Sequence, residues 1–349
     1  MKKFKLLSML FSVAIVVSLI VISACTKEGP AGPAGKDGTN GEDGINGTDG
    51  TAVCGTCHDN SETVETKIGQ WANSFHATSG LQFENGTTCA PCHTSQGFKE
   101  VLLTDSTGVV ASPENPSNIN CYTCHKIHDT YTGADWALRK TEASPSWLAQ
   151  NTFDFGKGNL CAQCHQPRIS YQVPDVTQPD AIYTVTSTRF APHYGGQSST
   201  LTGTAYYLVG TGYNNSSHIN IENTCVTCHM ASAMGYDAGG HTFRIYNEAE
   251  GEINTAGCEP CHTADEAITN VEELQADVTL LLEELGTLLE AAGIYNPAGT
   301  GGYAVKGDYP NKVAGAYWNF ISVKYDLSLG VHNPKFVEKV LENSIASLQ

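Results

Sequence analysis

The sequence predicts a mainly α-helical protein with much irregular structure, minor β-structure and a bundle of long helices at its carboxyl end. Two observations favour this fold class. A C-x-x-C-H motif occurs six times, and the first cysteines of successive copies are only 35, 32, 40, 64 and 33 residues apart. This spacing leaves little room for a core made of protein alone. After residue 262, apolar residues recur at helical spacing. We therefore expect short helices and loops in residues 51–262, and a helical region in residues 263–349.

The C-x-x-C-H motif is the attachment signature of c-type haem. Its two thiols form thioethers to the porphyrin, and its histidine binds the iron from the proximal face. Zinc ribbons, redox C-x-x-C pairs and disulfide frameworks do not require a histidine after every pair, and six coincidences would have a probability of about one in a billion. We number the copies motifs 1 to 6. Six haem c groups are predicted, one on each motif. The residues are Cys54, Cys57 and His58 (motif 1); Cys89, Cys92 and His93 (motif 2); Cys121, Cys124 and His125 (motif 3); Cys161, Cys164 and His165 (motif 4); Cys225, Cys228 and His229 (motif 5); and Cys258, Cys261 and His262 (motif 6).

The histidines outside the motifs equal the haems in number. A sealed, six-coordinate haem needs a second imidazole on its distal face. Six of the twelve histidines lie outside the motifs. The candidate distal ligands are His76, His128, His193, His218, His241 and His332. His128 lies three residues after His125 and cannot pass round the porphyrin to the same iron, so we expect it to serve a neighbouring haem.

Charge limits the class of partner. The formal net charge is −17, and it becomes −20 if Lys2, Lys3 and Lys5 are removed with a leader. This excess of acidic residues argues against nucleic acid and anionic lipid surfaces as partners. It suits metal ions, cationic surfaces, other cytochromes and further redox proteins.

The amino-terminal segment is typical of an exported lipoprotein. Lysines precede an apolar run, Leu6–Ile22, as in a signal peptide, and Ile22–Cys25 reads ISAC, which resembles a lipobox. We predict a signal peptide at residues 1–24, with Cys25 as the lipidated residue; an uncleaved membrane anchor is the alternative. Cys25 is also the one cysteine that the motifs leave over. Thr26 is not aspartate, so inner-membrane retention is not signalled and the outer membrane is expected.

Glycine occurs at every third position from Gly29 to Gly50. This is the collagen period. The run is short and has few prolines, so a monomeric tether over residues 25–50 is the preferred interpretation, and a trimeric triple helix is the alternative.

Local signals predict the remaining elements. The gap between motifs 4 and 5 contains two segments with strand-like composition, Ala181–Arg189 and Thr204–Gly210. This gap either supplies distal histidines or forms an active-site insertion. Thr263–Glu266 is a capping box that opens an amphipathic helix of about 28 residues, ended by Gly293. Two further helices are expected, near Asn311–Asp326 and from Pro334. The long apolar stripe packs within the chain or forms a homodimer interface, so monomer and homodimer both remain open.

Three segments resemble bacterial multihaem cytochromes c. They are CVTCHM followed by GGHTF, the APHYGGQSS and SSHI segments, and Tyr317-Trp318 followed by GVHNP. The last resembles the carboxyl-terminal part of the superfamily that contains cytochrome c nitrite reductase and hydroxylamine oxidoreductase. The resemblance implies distal roles for His193, His218, His241 and His332. The ammonia-forming nitrite reductases hold their catalytic haem with a lysine-ended motif, whereas all six motifs here end in histidine.

The sequence therefore predicts an electron carrier rather than an enzyme, with no catalytic residue. We expect an outer-membrane lipoprotein, facing the cell surface or the periplasm, that passes respiratory electrons to periplasmic or extracellular acceptors such as metal oxides. One alternative is an oxidoreductase that reduces nitrite, hydroxylamine or a similar molecule at one open haem. A second alternative is a subunit of a cytochrome filament.

Overall fold

The computed structural model describes residue 58 and residues 62–104, 107–148, 151–168, 170–300 and 302–349. The predicted signal peptide, Cys25, the Gly-X-Y tether, Cys54 and Cys57 lie outside the described residues.

Most helices before residue 263 are short, and the three after it are long. The α-helices are α1 (Glu62–Ala72), α2 (Phe75–Thr78), α3 (Ala90–His93), α4 (Ser95–Thr104), α5 (Cys121–Cys124), α6 (Asn159–Ala162), α7 (Gln197–Thr202), α8 (Cys225–His229), α9 (Ala264–Ala291), α10 (Asn311–Asp326) and α11 (Pro334–Leu348). Single turns of 3-10 helix occupy Leu81–Phe83, Gly133–Trp136, Gly156–Gly158, Ser217–Asn220, Gly240–Thr242 and Thr255–Gly257. The mainly α fold class with much irregular structure is confirmed.

The β-structure consists of three antiparallel two-stranded ribbons in the described part of the chain. The strands are β1 (Ser144–Pro145), β2 (Thr152–Phe153), β3 (Ile182–Val185), β4 (Tyr246–Asn247), β5 (Glu252–Ile253) and β6 (Gly307–Pro310). β1 pairs with β2, and β4 pairs with β5. β3 pairs with β6, with Ile182 opposite Pro310, and so joins the gap between motifs 4 and 5 to the carboxyl-terminal region.

The largest apolar core lies among α9, α10 and α11. Thr263 and Glu266 form the expected reciprocal cap at the start of α9, which is 28 residues long. The α9 stripe buries Val278, Leu285 and Leu289 against the other two helices of the same chain. The gap between motifs 4 and 5 also contributes residues to this core, including Val185, Phe190 and Tyr206. The two other apolar clusters are far smaller.

The prediction of a strand at Thr204–Gly210 is wrong. Side chains of α10, rather than a neighbouring strand, satisfy backbone groups in this segment. Trp318 Nε1 donates to Ala205 O at 2.9 Å. Asn319 Oδ1 accepts from Tyr207 N at 2.8 Å, and its Nδ2 donates to Tyr207 O at 2.7 Å. Because these buried groups are already paired, the Val- and Tyr-rich composition does not produce a ladder.

Replacing Asn319 with alanine is expected to lower the free energy of unfolding by about 3 kcal/mol, since buried backbone groups lose their partners. Asn319 is fully buried and also donates to Ser344 Oγ at 2.9 Å. Chemical denaturation followed by circular dichroism measures the change. Asn343→Ala is the matched control, because Asn343 makes an exposed hydrogen bond to Thr211 O and its loss should cost less than about 0.5 kcal/mol. Equal losses for the two variants would contradict the structural role of Asn319.

No helix in the described ranges is long and apolar enough to span a membrane.

Candidate functional site

The cysteine motifs fold as single helical turns that place the two thiols on one side. α3, α5 and α8 each contain or adjoin a complete C-x-x-C pair, and positions three apart share a helix face. Asn120 caps α5 with a reciprocal bond to Thr123. Motif 6 differs, because it follows the 3-10 turn Thr255–Gly257 and Cys261 is exposed. The helical turns of motifs 2, 3 and 5 thus place the two thiols of each motif on one side, as thioether attachment to one porphyrin requires.

Five histidine ring pairs each join one motif histidine to one histidine outside the motifs. No described histidine appears in two of these pairs. The centroid distances are 6.2 Å for His58–His128, 6.1 Å for His93–His193, 6.3 Å for His125–His241, 6.1 Å for His165–His76 and 6.2 Å for His229–His332. We call these pairs sites 1, 2, 3, 4 and 5, after their motifs.

This spacing matches two axial imidazoles on one iron. A metal–imidazole nitrogen bond is about 2.0 Å long, and the centre of a five-membered ring with sides of about 1.35 Å lies roughly 1.15 Å from each ring atom. Two imidazoles on opposite sides of one metal ion would therefore have centroids about 6.3 Å apart. The five observed distances fall at this value, so the residues present fit haem iron with a histidine on each face.

Five of the ten paired histidines, and also His218, have Nδ1 within hydrogen-bond distance of an acceptor, which leaves Nε2 for a metal. The acceptor is a backbone carbonyl for four histidines: Trp136 O for His125 at 2.6 Å, Tyr194 O for His193 at 2.9 Å, Val331 O for His218 at 2.9 Å and Phe243 O for His229 at 3.0 Å. His165 Nδ1 instead lies 3.1 Å from Gln197 Oε1, and His332 Nδ1 lies 2.9 Å from Asp326 Oδ1.

Burial favours the neutral, metal-binding form of most of these imidazoles. It lowers the pKa of His76 to about 4, with a further contribution from His165. Burial also lowers the pKa of His229 and that of His241 to about 4. Because a histidine binds a metal through a neutral ring nitrogen, these side chains can act as ligands at neutral pH without first losing a proton.

Asp135 positions His128. His128 has a left-handed backbone with φ of 64°, which is unfavourable for a residue with a side chain. Asp135 offsets this cost, because its buried carboxylate accepts from His128 N at 2.8 Å, Thr130 N at 2.7 Å and Tyr131 N at 3.0 Å. The turn carries the His128 ring towards His58 rather than towards His125.

Two glycines position His241. Gly239 and Gly240 have positive φ angles of 72° and 53°, and a Cβ on Gly240 would lie 2.5 Å from Gln70 Oε1. That same oxygen accepts from His241 N at 3.1 Å. The GGHTF segment thus lets α1 approach closely and hold His241 opposite His125.

Sites 3, 4 and 5 meet at Phe243. The Phe243 ring lies 5.0 Å from the ring of His76 and 6.0 Å from that of His241, and its carbonyl faces His229. Three ring pairs from distant parts of the sequence therefore share one phenylalanine.

Contacts between motifs connect the other sites. Cys164 Sγ lies 3.8 Å from Pro91 O, which brings sites 2 and 4 together. The hydroxyl of Tyr122, inside motif 3, lies 3.3 Å from His128 Nδ1 of site 1. Gly257, before motif 6, packs on motif 5, where an added Cβ would lie 2.9 Å from Cys228 Cα. The described motifs thus form a connected series.

His218 and His262 are not brought into a ring pair in the described part of the chain. His218 is half-buried, with its Nδ1 on Val331 O. His262 is exposed, directly before the cap of α9. They are the two histidines that the five pairs leave over.

Sequence reasoning missed the side chains that orient the histidines. Asp135, Gln197 and Asp326 carry no motif, and each acts on a histidine through a tertiary contact or a local turn. The only signal for them in the sequence is weak: an aspartate lies seven residues after His128 in a turn-rich segment.

Two comparisons with known proteins find a similar family or fold. A family model described as cytochrome c554 and c-prime matches residues 196–263, which include motifs 5 and 6. The fold is similar to the crystal structure of the outer cell wall cytochrome OcwA, with a TM-score of 0.51 and 19% sequence identity, over 81% of this chain and 50% of that one. The chain thus covers half the length of that protein. No curated protein matches the chain.

The motifs, the ring pairs and the family match agree on the cofactor class, which is covalently bound haem c. Residues 196–263 match a c-type cytochrome family, and the chain has the fold of a multihaem cytochrome, with motifs of the kind that attach haem c covalently.

Proposed function

We propose that the chain binds six haem c groups, each with a histidine on both faces, and carries electrons among them. The observation that carries this proposal is the one-to-one pairing of motif and non-motif histidines at five sites. His262 and His218 remain as the proximal and distal residues of site 6. The count of six rests on the six motifs, including Cys54 and Cys57 of motif 1.

The arrangement of the sites supports transfer along the chain. Bound haem supplies a one-electron couple between ferric and ferrous iron. Nδ1 hydrogen bonds orient one imidazole at each of sites 2, 3 and 4 and both imidazoles at site 5, which favours the same coordination in both oxidation states. Sites 1 and 3 adjoin through Tyr122, sites 3, 4 and 5 through Phe243, and sites 5 and 6 through Gly257. Site 2 branches from site 4.

The proposed location is the cell surface. The lipobox-like ISAC segment and the Gly-X-Y run favour a lipid anchor at Cys25 with a tether to the haem-binding region, and the similar OcwA is an outer cell wall cytochrome. The net charge of −17 suits metal oxides, cationic surfaces and other redox proteins as acceptors. The proposed role is to pass respiratory electrons outward.

A second candidate function is supported by site 6. His218 and His262 form no ring pair, and Cys261 is exposed. If His218 does not bind iron, site 6 offers an open position, and reduction of a small nitrogen oxide such as nitrite or hydroxylamine becomes the candidate activity.

The mass and spectra of the purified holoprotein test the first proposal. The intact mass should show six covalent porphyrins and a chain that begins at an acylated Cys25. Electron paramagnetic resonance of the ferric protein should show low-spin signals only, and cyanide should not bind. One high-spin signal that cyanide removes would instead favour the second candidate. Fewer than six porphyrins, or an unmodified Cys25, would contradict the corresponding part of the proposal.

A further inference from the structure

The distal histidine of site 5 is hydrogen-bonded to a buried carboxylate. His332 Nδ1 lies 2.9 Å from Oδ1 and 3.0 Å from Oδ2 of Asp326. Asp326 is the last residue of α10, and its side chain is fully buried. Leu327, with φ of 63°, turns the chain at once, so that His332 comes back over the end of the helix.

Among the ten described histidines that form the five ring pairs, only His332 has a carboxylate within hydrogen-bond distance of its Nδ1. His125, His193 and His229 face backbone carbonyls, and His165 faces the amide oxygen of Gln197. Gln197 also donates from Nε2 to Asp326 O at 3.1 Å. A neutral acceptor and a charged acceptor therefore stand side by side, one serving site 4 and the other serving site 5.

The charge of Asp326 is not cancelled by a nearby cation. The ion pairs among the described residues include none that joins Asp326 to lysine or arginine. Its other partner is the Ser328 hydroxyl, which donates to Oδ2. Ser328 Oγ in turn accepts from His332 N at 3.3 Å. The cation nearest along the chain, Lys324, points to Tyr295 instead.

The geometry points to Asp326 as the residue that gives the site 5 haem the most negative reduction potential of the five paired sites. A carboxylate that accepts a hydrogen bond from Nδ1–H makes the imidazole a stronger electron donor to the iron through Nε2. The buried negative charge also attracts the ferric haem, which carries one more positive charge than the ferrous haem. Both effects favour the ferric state, and axial hydrogen bonding and local charge are among the factors that set haem potentials.

This inference rests on the proposed haem occupancy of site 5, and it gives that site a distinct role. Site 5 lies between sites 4 and 6. A low-potential haem there would hold an electron least at equilibrium, so electrons would collect on sites 1 to 4 or on site 6. Asp326 acts through His332 and is thus a positioning residue.

The test is a redox titration of the D326N holoprotein followed by optical and paramagnetic resonance spectra. Asparagine keeps the shape and a neutral oxygen acceptor for Nδ1. The most negative component should move upward, with at least a tenfold rise in the ferrous-to-ferric ratio at fixed potential, or about 59 mV for one electron, and the other components should move much less. Ser328→Ala is the paired control: it removes a donor from the carboxylate and should move the same component downward.

A second variant keeps the inference testable if D326N does not fold. Gln197→Glu places a carboxylate on His165 and should lower the potential of a different component, that of site 4. Porphyrin count by mass and low-spin spectra are checked first in each variant, so missing haem or a missing distal ligand is recognised as a failure of the proposed function. Intact, low-spin D326N and Q197E proteins with unmoved potentials would overturn the inference.

Discussion

Replacing His193 with alanine is expected to convert the haem of site 2 from low spin to high spin. His193 lies 6.1 Å from His93, ring centre to ring centre, and alanine supplies no distal ligand. One haem in each chain should then give a high-spin ferric signal. Cyanide binding should rise from none to one per chain, because an open iron position takes an external ligand. Paramagnetic resonance and an optical cyanide titration measure both effects.

Tyr194→Phe is the matched control. The Tyr194 carbonyl accepts from His193 Nδ1, and phenylalanine keeps that carbonyl while it removes only the hydroxyl. Its spectrum should remain low spin. A H193A protein with full porphyrin content and no new high-spin signal would show that His193 is not a ligand.

The same substitution at His218 examines site 6, the site without a ring pair. If His218 binds the site 6 iron, H218A produces the same change as H193A. If the spectrum does not change and the parent protein already binds cyanide, site 6 is open and the nitrogen oxide reductase is the better function.

The elements that sequence reasoning located correctly are those with local determinants. The start of α9 depends on Thr263 and Glu266, and its length on an apolar repeat; α10 and the proline that opens α11 follow similar rules. The haem motifs are also local, since attachment needs two thiols and an imidazole within five residues. Such signals do not depend on the rest of the fold.

The pairings could not be predicted, because they join residues far apart in sequence. The two histidines of each paired site are separated by 70 to 116 positions, from His58–His128 to His125–His241. A count of histidines predicts that partners exist and says nothing of which ones meet. Asp326 is a similar case, because an aspartate near a helix end is usually solvated and only the return of the chain at Leu327 puts it on a ligand. The prediction of a strand at Thr204–Gly210 was wrong for a related reason, because tertiary hydrogen bonds from α10 override the strand-like composition of the segment.

The second large effect is expected on removal of haem. The described protein has one substantial apolar core, which includes Trp318, Ile321 and Leu341 of the carboxyl-terminal helices. The clusters near the motifs contain only a few residues each. Phe75 and Phe83, in the segment that carries His76, are 63% and 74% exposed and are available to pack on porphyrin. The motif segments that lie outside this core, which include α1, α4 and α8, are therefore expected to depend on porphyrin for their apolar contacts.

A chain produced without haem attachment, kept reduced, should lose order in α1, α4 and α8 while α9, α10 and α11 keep their helices. Amide hydrogen exchange in α1 and α4 should become on the order of 1000-fold faster than in the holoprotein, which corresponds to a loss of about 4 kcal/mol in local opening free energy. Exchange in α10, which lies inside the large core, should change by less than about tenfold. The holoprotein under the same reducing conditions is the control, since it separates the effect of haem from that of reductant. Equal protection of α4 with and without haem would mean that protein contacts alone hold the motif region, and the small clusters around Ala90 and Phe153 would then have to supply a stability that their size does not support.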